Sequence, residues 1–250
     1  LRPNFVQPYR CRNVLISGVT IIHSPMWVIH PTLCENVTIQ NVRVISHGPN
    51  NDGCNPESCK NVLIEACYFD TGDDCIAIKS GRDHDGRRLA VPSENIVIRH
   101  CEMKDGHGGV VMGSEISGDV RNVFAENCDM NSPRLDRALR IKSNSYRGGN
   151  IENIYMRNIR IGQVKEAAIH FDLFYDRERG DNHCTIRNVL VENMTSELSD
   201  YAVYIKGDEV HPVEGIRILN STFNKVRHDN FLQGVEGFHM DNVTIIKSED

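Results

Sequence analysis

CRNVLISGVTI, residues 11–21, recurs along the chain. It aligns without gaps with CENVTIQNVRV (34–44), CKNVLIEACYF (59–69), SENIVIRHCEM (93–103), VRNVFAENCDM (120–130), IENIYMRNIRI (151–161), IRNVLVENMTS (186–196), VEGIRILNSTF (213–223) and VEGFHMDNVTI (235–245). The third residue is Asn in seven copies, Asn13 through Asn188, and Gly in the last two, Gly215 and Gly237. Asn and Gly share tolerance of left-handed backbone, so this position reads as a corner. The residue before it is charged in every copy and must face water. The first and third residues after the corner are apolar throughout, the alternation of a strand with one buried face. Five residues past the corner a second turn residue follows, Asn in six copies, and beyond it apolar alternation resumes, with exceptions such as Ser196 and Ser221. Each repeat is thus two short strands joined at an Asn corner.

Successive corners are 23, 25, 34, 27, 31, 35, 27 and 22 residues apart. Constant corners separated by variable lengths describe identical coils interrupted by loops of different size. One strand pair cannot bury its face alone, so the repeats must stack. The expected fold is all-β, a right-handed parallel β-helix (solenoid) of about nine or more coils. An antiparallel sandwich would not reproduce the same corner residues nine times at unequal spacing, and the Leu-rich signature of a horseshoe solenoid is absent.

The nine cysteines belong to the same pattern. Cys11, Cys34 and Cys59 precede three consecutive corners by two residues, and Cys67, Cys101 and Cys128 follow three consecutive corners by six. Both are inward rows, where free Cys packs as a small hydrophobe. Stacked neighbours about 4.8 Å apart are also within reach of a disulfide, so the bonding state stays open at this point.

The 250 residues, 40% hydrophobic and 25% charged, suffice for a substantial core. No linker composition interrupts them, which makes 1–250 a single domain. No apolar run approaches the ~20 residues of a membrane span. The first residues, LRPNFVQPYR, lack an initiator Met and a signal-peptide core, as expected of a mature protein or an excerpt of a longer chain. A net charge of −6 with dispersed Lys and Arg argues against nucleic acid as a partner. Aromatic content of only 6% argues against a sandwich built on large rings.

Equivalent positions of neighbouring coils lie one strand spacing apart. The segments that follow four consecutive repeats are Asn50-Asn51-Asp52-Gly53, Gly72-Asp73-Asp74-Cys75, Gly106-His107-Gly108 and Arg140-Ile141-Lys142. Singly, these read as a turn, a solvated loop, a His turn and a half-exposed strand. Together they place three carboxylates, an imidazole and two cations in one column on a rigid scaffold. Crowded aspartates supply a neutral acid and an ionised base at once, because mutual repulsion raises the proton affinity of one member. Glycoside hydrolysis needs that pair.

The set NNDG, GDDC, GHG and RIK, in this order on a β-helical repeat, resembles the polygalacturonase family of pectin-degrading glycoside hydrolases, whose pattern runs NTDG, G-x-DDC, GHG, RIK. Asn51 replaces the family's usual Thr and leaves the carboxylate in place. Gly109-Val110-Val111 stands where many endo-acting fungal members carry a Ser-containing segment. With the extended loop from Gly81 to Ser93, this points toward the bacterial exo-acting branch. The resemblance implies cleavage of α-1,4-galacturonosyl linkages, with Asp73 as general acid and with Asp52 and Asp74 holding and deprotonating a water in an inverting reaction. It further implies that His107 tunes the cluster and that Arg140 and Lys142 bind the uronate carboxylate. An inverting pair would stand ~6.5–9.5 Å apart. Tyr175 is a candidate for stacking on a sugar ring. No metal and no cofactor are called for, the partner is an acidic plant cell-wall polysaccharide or oligogalacturonide, the protein is expected to be a monomer, and the location is secreted or periplasmic.

Two other readings bear on the same residues. A pectate lyase also uses a parallel β-helix and would make the aspartates a calcium site, but it has no obvious use for GHG beside GDDC. A non-catalytic β-helical carbohydrate-binding protein would use the polar column as a groove. No nucleotide, zinc or serine-nucleophile pattern is present.

Overall fold

The computed structural model describes residues 2–176 and 178–249. The chain winds as a right-handed parallel β-helix in which every strand pairing is parallel. The long sheet runs in the order Arg12–Ser17, Glu35–Gln40, Lys60–Glu65, Ser93–Arg99, Val120–Met130, Gly149–Ile161, Cys184–Ser196, Val213–Val226 and Val235–Glu236. These strands carry the nine repeats. A second, six-stranded sheet consists of Ile76–Ile78, Val110–Gly113, Arg137–Lys142, Ala167–Asp172, Tyr201–Lys206 and Phe231–Gln233. Isolated bridges at Val6, Ile29 and Cys54 continue this second sheet through the first coils.

The corners are what the sequence requires of them. All seven corner asparagines have φ between 56° and 59°, and Gly215 and Gly237 both have φ 65°. In the left-handed region a side chain costs about 1–2 kcal/mol unless it is Gly or a short polar residue that bonds locally. The asparagines recover that cost by bonding to one another: Asn36 Nδ2 donates to Asn13 Oδ1, Asn61 to Asn36, Asn95 to Asn61, Asn122 to Asn95, Asn153 to Asn122 and Asn188 to Asn153, at 2.6–3.1 Å. The second corner repeats the device from Asn127 through Asn158 to Asn193. The charged residues just before the first corner are nowhere buried, and several pair across coils, as Lys60 with Glu94 and Arg121 with Glu94.

A specific cost follows for Asn153, which both donates to Asn122 and accepts from Asn188. Asn153→Ala loses both bonds and keeps φ near 59° without local compensation. The expected loss is about 2 kcal/mol, seen as a melting temperature lower by about 4–8 °C. Asn153→Gly keeps the backbone conformation and is expected to lose about half as much. Equal melting temperatures for the two variants would show that the left-handed corner is not what the Asn provides.

The core is a column of stacked rows. Val37, Ile39, Val62, Ile64, Ile96, Ile98, Val123, Ile154, Val189 and Ile216 are all buried, as are Cys34, Cys59, Cys67, Cys101 and Cys128. All nine cysteines are free thiols. Ser196 and Ser221 interrupt the apolar pattern yet point inward and are buried, Ser221 donating to the carbonyl of Leu219. The two end coils depart from the rule: Cys11, Val19 and Met240 occupy inward rows but are exposed, because no further coil stacks over them among the described residues. The extended loop from Gly81 to Ser93 contains a seven-residue helix, Asp83–Leu89, which the sequence pattern does not signal. Arg87 from this helix donates to the carbonyls of Tyr146 and Arg147 and pins the loop to the turn beyond Lys142.

Candidate active site

Four adjacent coils bring the polar segments together. The amide of Gly53 donates to the carbonyl of Asp74, that of Cys75 to Gly108, and that of Gly109 to Arg137, so the segments stack one strand spacing apart. Asp52, Asp74, Arg140 and Lys142 are buried, Asp73 is partly exposed and His107 is exposed. The two glycines beside His107 permit the close approach. A Cβ on Gly106 would stand 2.5 Å from the carbonyl oxygen of Asp73, and one on Gly108 would stand 2.5 Å from Val111 Cγ2 and 3.3 Å from Asp74 Oδ1.

The nearest oxygens of Asp52, Asp73 and Asp74 lie within 4.8 Å of one another. This corrects the ~6.5–9.5 Å separation expected of an inverting pair. Cations embedded among the carboxylates offset their repulsion and let them crowd. Asp74 Oδ1 accepts from Arg140 Nη1 at 3.1 Å and Oδ2 from Lys142 Nζ at 2.6 Å. Burial alone would raise the proton affinity of Asp74, but Lys142 and Arg140 outweigh it and hold the carboxyl down at about 2. Asp74 is therefore ionised. Asp52 goes the other way: burial first, then the charges of Asp74 and Asp73, raise it to about 7 against the opposing pull of Lys79. Lys79 stands 3.6 Å from Asp52 but only 2.8 Å from Glu115, to which it gives most of its charge. The neutral partner of Asp52 is Asn55, whose Nδ2 donates to Oδ2 at 2.9 Å.

Asp73 Oδ1 contacts His107 Nδ1 at 3.1 Å and accepts from the amide of Asp74 at 2.9 Å. That contact raises the proton affinity of His107. Tyr175 does not stand apart: its ring lies 5.5 Å from the Arg140 guanidinium and 5.2 Å from Lys142 Nζ. In this structure both cations engage Asp74, and donors remain free on each, among them the buried and unpartnered Nε of Arg140.

The three aspartates form a group of a kind that holds metal ions. Here the donor set opposes one: both oxygens of Asp74 are taken by cations, and Lys79, Lys142 and Arg140 surround the cluster. A calcium ion needs six to eight oxygens and no competing charge.

Sequence reasoning missed Lys79, buried beside Asp52, and its partner, the partly buried Glu115. A signal existed, since Lys79 follows Ala77 at strand spacing and so shares the outward face of Cys75–Lys79 with the site.

The buried Asp52 gives a stability prediction of unusual sign. Its native affinity is raised from 3.8 to about 7, so the folded state holds a proton that the unfolded chain has lost. Stability from this group is full below about pH 4 and is lost as pH rises through about 7, with a ceiling of about 4 kcal/mol. Asp52→Asn, always neutral and still able to accept from Asn55, should melt several degrees above the parent at pH 8 and match it at pH 4. A variant that melts lower than the parent at pH 8 would contradict the burial cost.

A family model described as Glycosyl hydrolases family 28 matches residues 1–248. A probable polygalacturonase of Vitis vinifera is 33% identical over 233 residues, covering 89% of this chain and 46% of its own length. A polygalacturonase of Ralstonia solanacearum is 27% identical over 277 residues, covering 95% and 49%. Among solved structures, that of a hyperthermoactive exopolygalacturonase from Thermotoga maritima superposes with a TM-score of 0.95 at 49% identity, covering 98% of this chain and 55% of that one. The chain thus spans about half the length of the curated relatives it matches.

Proposed function

This chain belongs to glycosyl hydrolases family 28, and on that premise we propose that it hydrolyses α-1,4-galacturonosyl linkages of pectin with inversion. The observation that carries the proposal is the unequal access of three crowded carboxyls. Asp73 is partly exposed, whereas Asp52 and Asp74 are 3% and 0% exposed. Of the three carboxyls Asp73 is the one placed to touch a sugar, and it protonates the leaving oxygen. Neither buried carboxyl can reach an anomeric carbon as a nucleophile, and Asp74 has both oxygens occupied. Water is small enough to enter between them. Access, rather than the separation, therefore favours inversion over a covalent intermediate.

One proton serves the cycle. It rests on Asp52 in the free protein and must stand on Asp73 when the bond breaks, a short transfer among oxygens within 4.8 Å. Asp52, ionised by that transfer, takes a proton from the attacking water, which Asp74 helps to orient. The end state has the proton back on Asp52. His107, hydrogen-bonded to Asp73, holds the acid in place. The remaining terminal N–H donors of Arg140 and Lys142 bind the uronate carboxylate, and Tyr175 walls that subsite.

The exo mode of attack, action as a monomer on an acidic wall polysaccharide or oligogalacturonide, and a secreted or periplasmic location belong to the same proposal. The 49% identical exopolygalacturonase supports the first. No helix among the described residues is long and apolar enough to cross a membrane. The test is incubation with oligogalacturonates in EDTA. New reducing ends without unsaturated product are expected, with monomer as the sole small product. Ultraviolet-absorbing product that requires Ca²⁺ would replace hydrolysis by elimination.

A further inference from the structure

Beyond the catalytic coils the second sheet continues as a lane two columns wide. Register sets Arg140 beside His170, Tyr204 and Phe231, and sets Lys142 beside Asp172, Lys206 and Gln233. Each column lies on the outward face, alternating with the buried Ile141, Phe171 and Ile205. The first column is a wall of rings. His170 stacks on Tyr204 at 4.8 Å and Tyr204 on Phe231 at 4.7 Å. The second column alternates in charge, cation, anion, cation.

Lys206 is the unexplained member. It is half-buried and makes no ion pair among the described residues. Among the described residues its ammonium lies over the ring of Phe174, 5.3 Å from the centroid. The same ring carries Arg179 at 5.6 Å, whose guanidinium is occupied by the carbonyls of Phe174, Asp176 and Glu178. Two cations over one ring make a site of positive potential that suits an anion. Lys206 lies two strand spacings from Lys142, about 9.6 Å along the coil axis, a distance comparable with two pyranose units. At the intervening coil Asp172 repels an anion, and His170 is held neutral, burial first and then Arg137 and Arg140 pushing it down to about 3. A carboxylate on the middle unit must therefore turn away from this column.

We propose that Lys206 is a specificity-determining residue that binds the carboxylate of a second uronate, two units along the same chain from the uronate held at Arg140 and Lys142. This rests on the hydrolase reading for the first uronate. The lane then reads acidic groups on every second sugar, which selects a uronate oligomer over a dimer and over its neutral or esterified counterpart.

The test is calorimetric titration of digalacturonate, pentagalacturonate and methyl-esterified pentagalacturonate into the Asp73→Asn protein, whose turnover is slowed about 10³-fold, with and without Lys206→Met. Met keeps an unbranched stem against Phe174, and equal melting temperatures control for folding. Lys206→Met is expected to weaken pentagalacturonate about tenfold, to leave digalacturonate and the ester within twofold, and to be largely rescued by Lys206→Arg. Unchanged pentagalacturonate affinity, or equal weakening of dimer and pentamer, overturns this inference alone. If the parent cleaves no oligogalacturonate and the Asp73→Asn protein binds none, the hydrolase reading falls and takes the inference with it.

Discussion

Asp73→Asn is expected to lower kcat on oligogalacturonates by about 10³-fold, with KM unchanged within a few-fold. The amide is the same size as the carboxyl and still accepts the amide proton of Asp74, so the turn keeps its geometry. It has no proton to give the leaving oxygen. Because Asp73 is the one accessible carboxyl of the three, neither Asp52 nor Asp74 can replace it. The melting temperature should move by no more than a degree or two, since a partly exposed group is exchanged for a neutral one of equal volume. Initial rates of reducing-end formation decide the matter. A variant retaining a tenth or more of parent activity would move the acid role to another group.

Asp74→Asn is expected to be the most damaging single change to the fold at this site. Asp74 is fully buried and is the shared counter-ion of Arg140 and Lys142, themselves buried. An amide leaves two cations in a poorly solvated place with no opposing charge, a loss of about 3–5 kcal/mol and a melting temperature lower by about 10 °C. The pH dependence has the opposite sense to that of Asp52. The affinity of Asp74 is depressed from 3.8 to about 2, so its stability is present above about pH 4 and is lost as pH falls toward 2. The gap between parent and variant should be full at pH 7 and shrink below pH 4. Adding Lys142→Met to Asp74→Asn should recover part of the loss, because one unpaired charge is removed with its partner. If the single variant melted like the parent at pH 7, the ion-pair account of the depressed carboxyl would be wrong. Activity is expected to vanish in either variant.

With the roles proposed for them, Asp52 and Asp74 trade stability against function. One carboxyl is held ionised by cations and strengthens the fold at neutral pH; the other is buried without enough of them and weakens it. A hydrolase needs both states within reach of a single water.

The corners were legible because left-handed backbone is a demand few residues meet. Nine copies with only Asn or Gly at one position leave little room for another explanation, and the positive φ values at Asn13 through Gly237 follow. The inward rows were legible from period-two alternation, and the exposed members, Cys11, Val19 and Met240, lie in the first and last coils, where stacking ends rather than where the pattern breaks. The column Asp52, Asp73, Asp74, His107, Arg140 and Lys142 was legible because register turns sequence offsets into spatial neighbours. What the sequence did not carry was depth. Asp73 and Asp74 are adjacent in the chain, yet one has exposed surface and the other has none. Nor did it carry which carboxyl would hold the proton, since that depends on how Lys79 divides its charge between Asp52 and Glu115. The helix Asp83–Leu89 escaped notice because it is short, contains Gly86, and is held by its contacts with the turn at Tyr146 and Arg147 rather than by helix propensity.

The most direct test of the account is the anomeric form of the first product, followed by proton NMR as the protein, in EDTA, cleaves an α-linked oligogalacturonate faster than the product mutarotates. Attack by a water held between buried Asp52 and Asp74 predicts that the new reducing end appears first as the β-anomer, with no unsaturated sugar. An α-anomer appearing first would mean that one of the carboxyls attacks the sugar itself, and would contradict the division of roles drawn from their unequal burial.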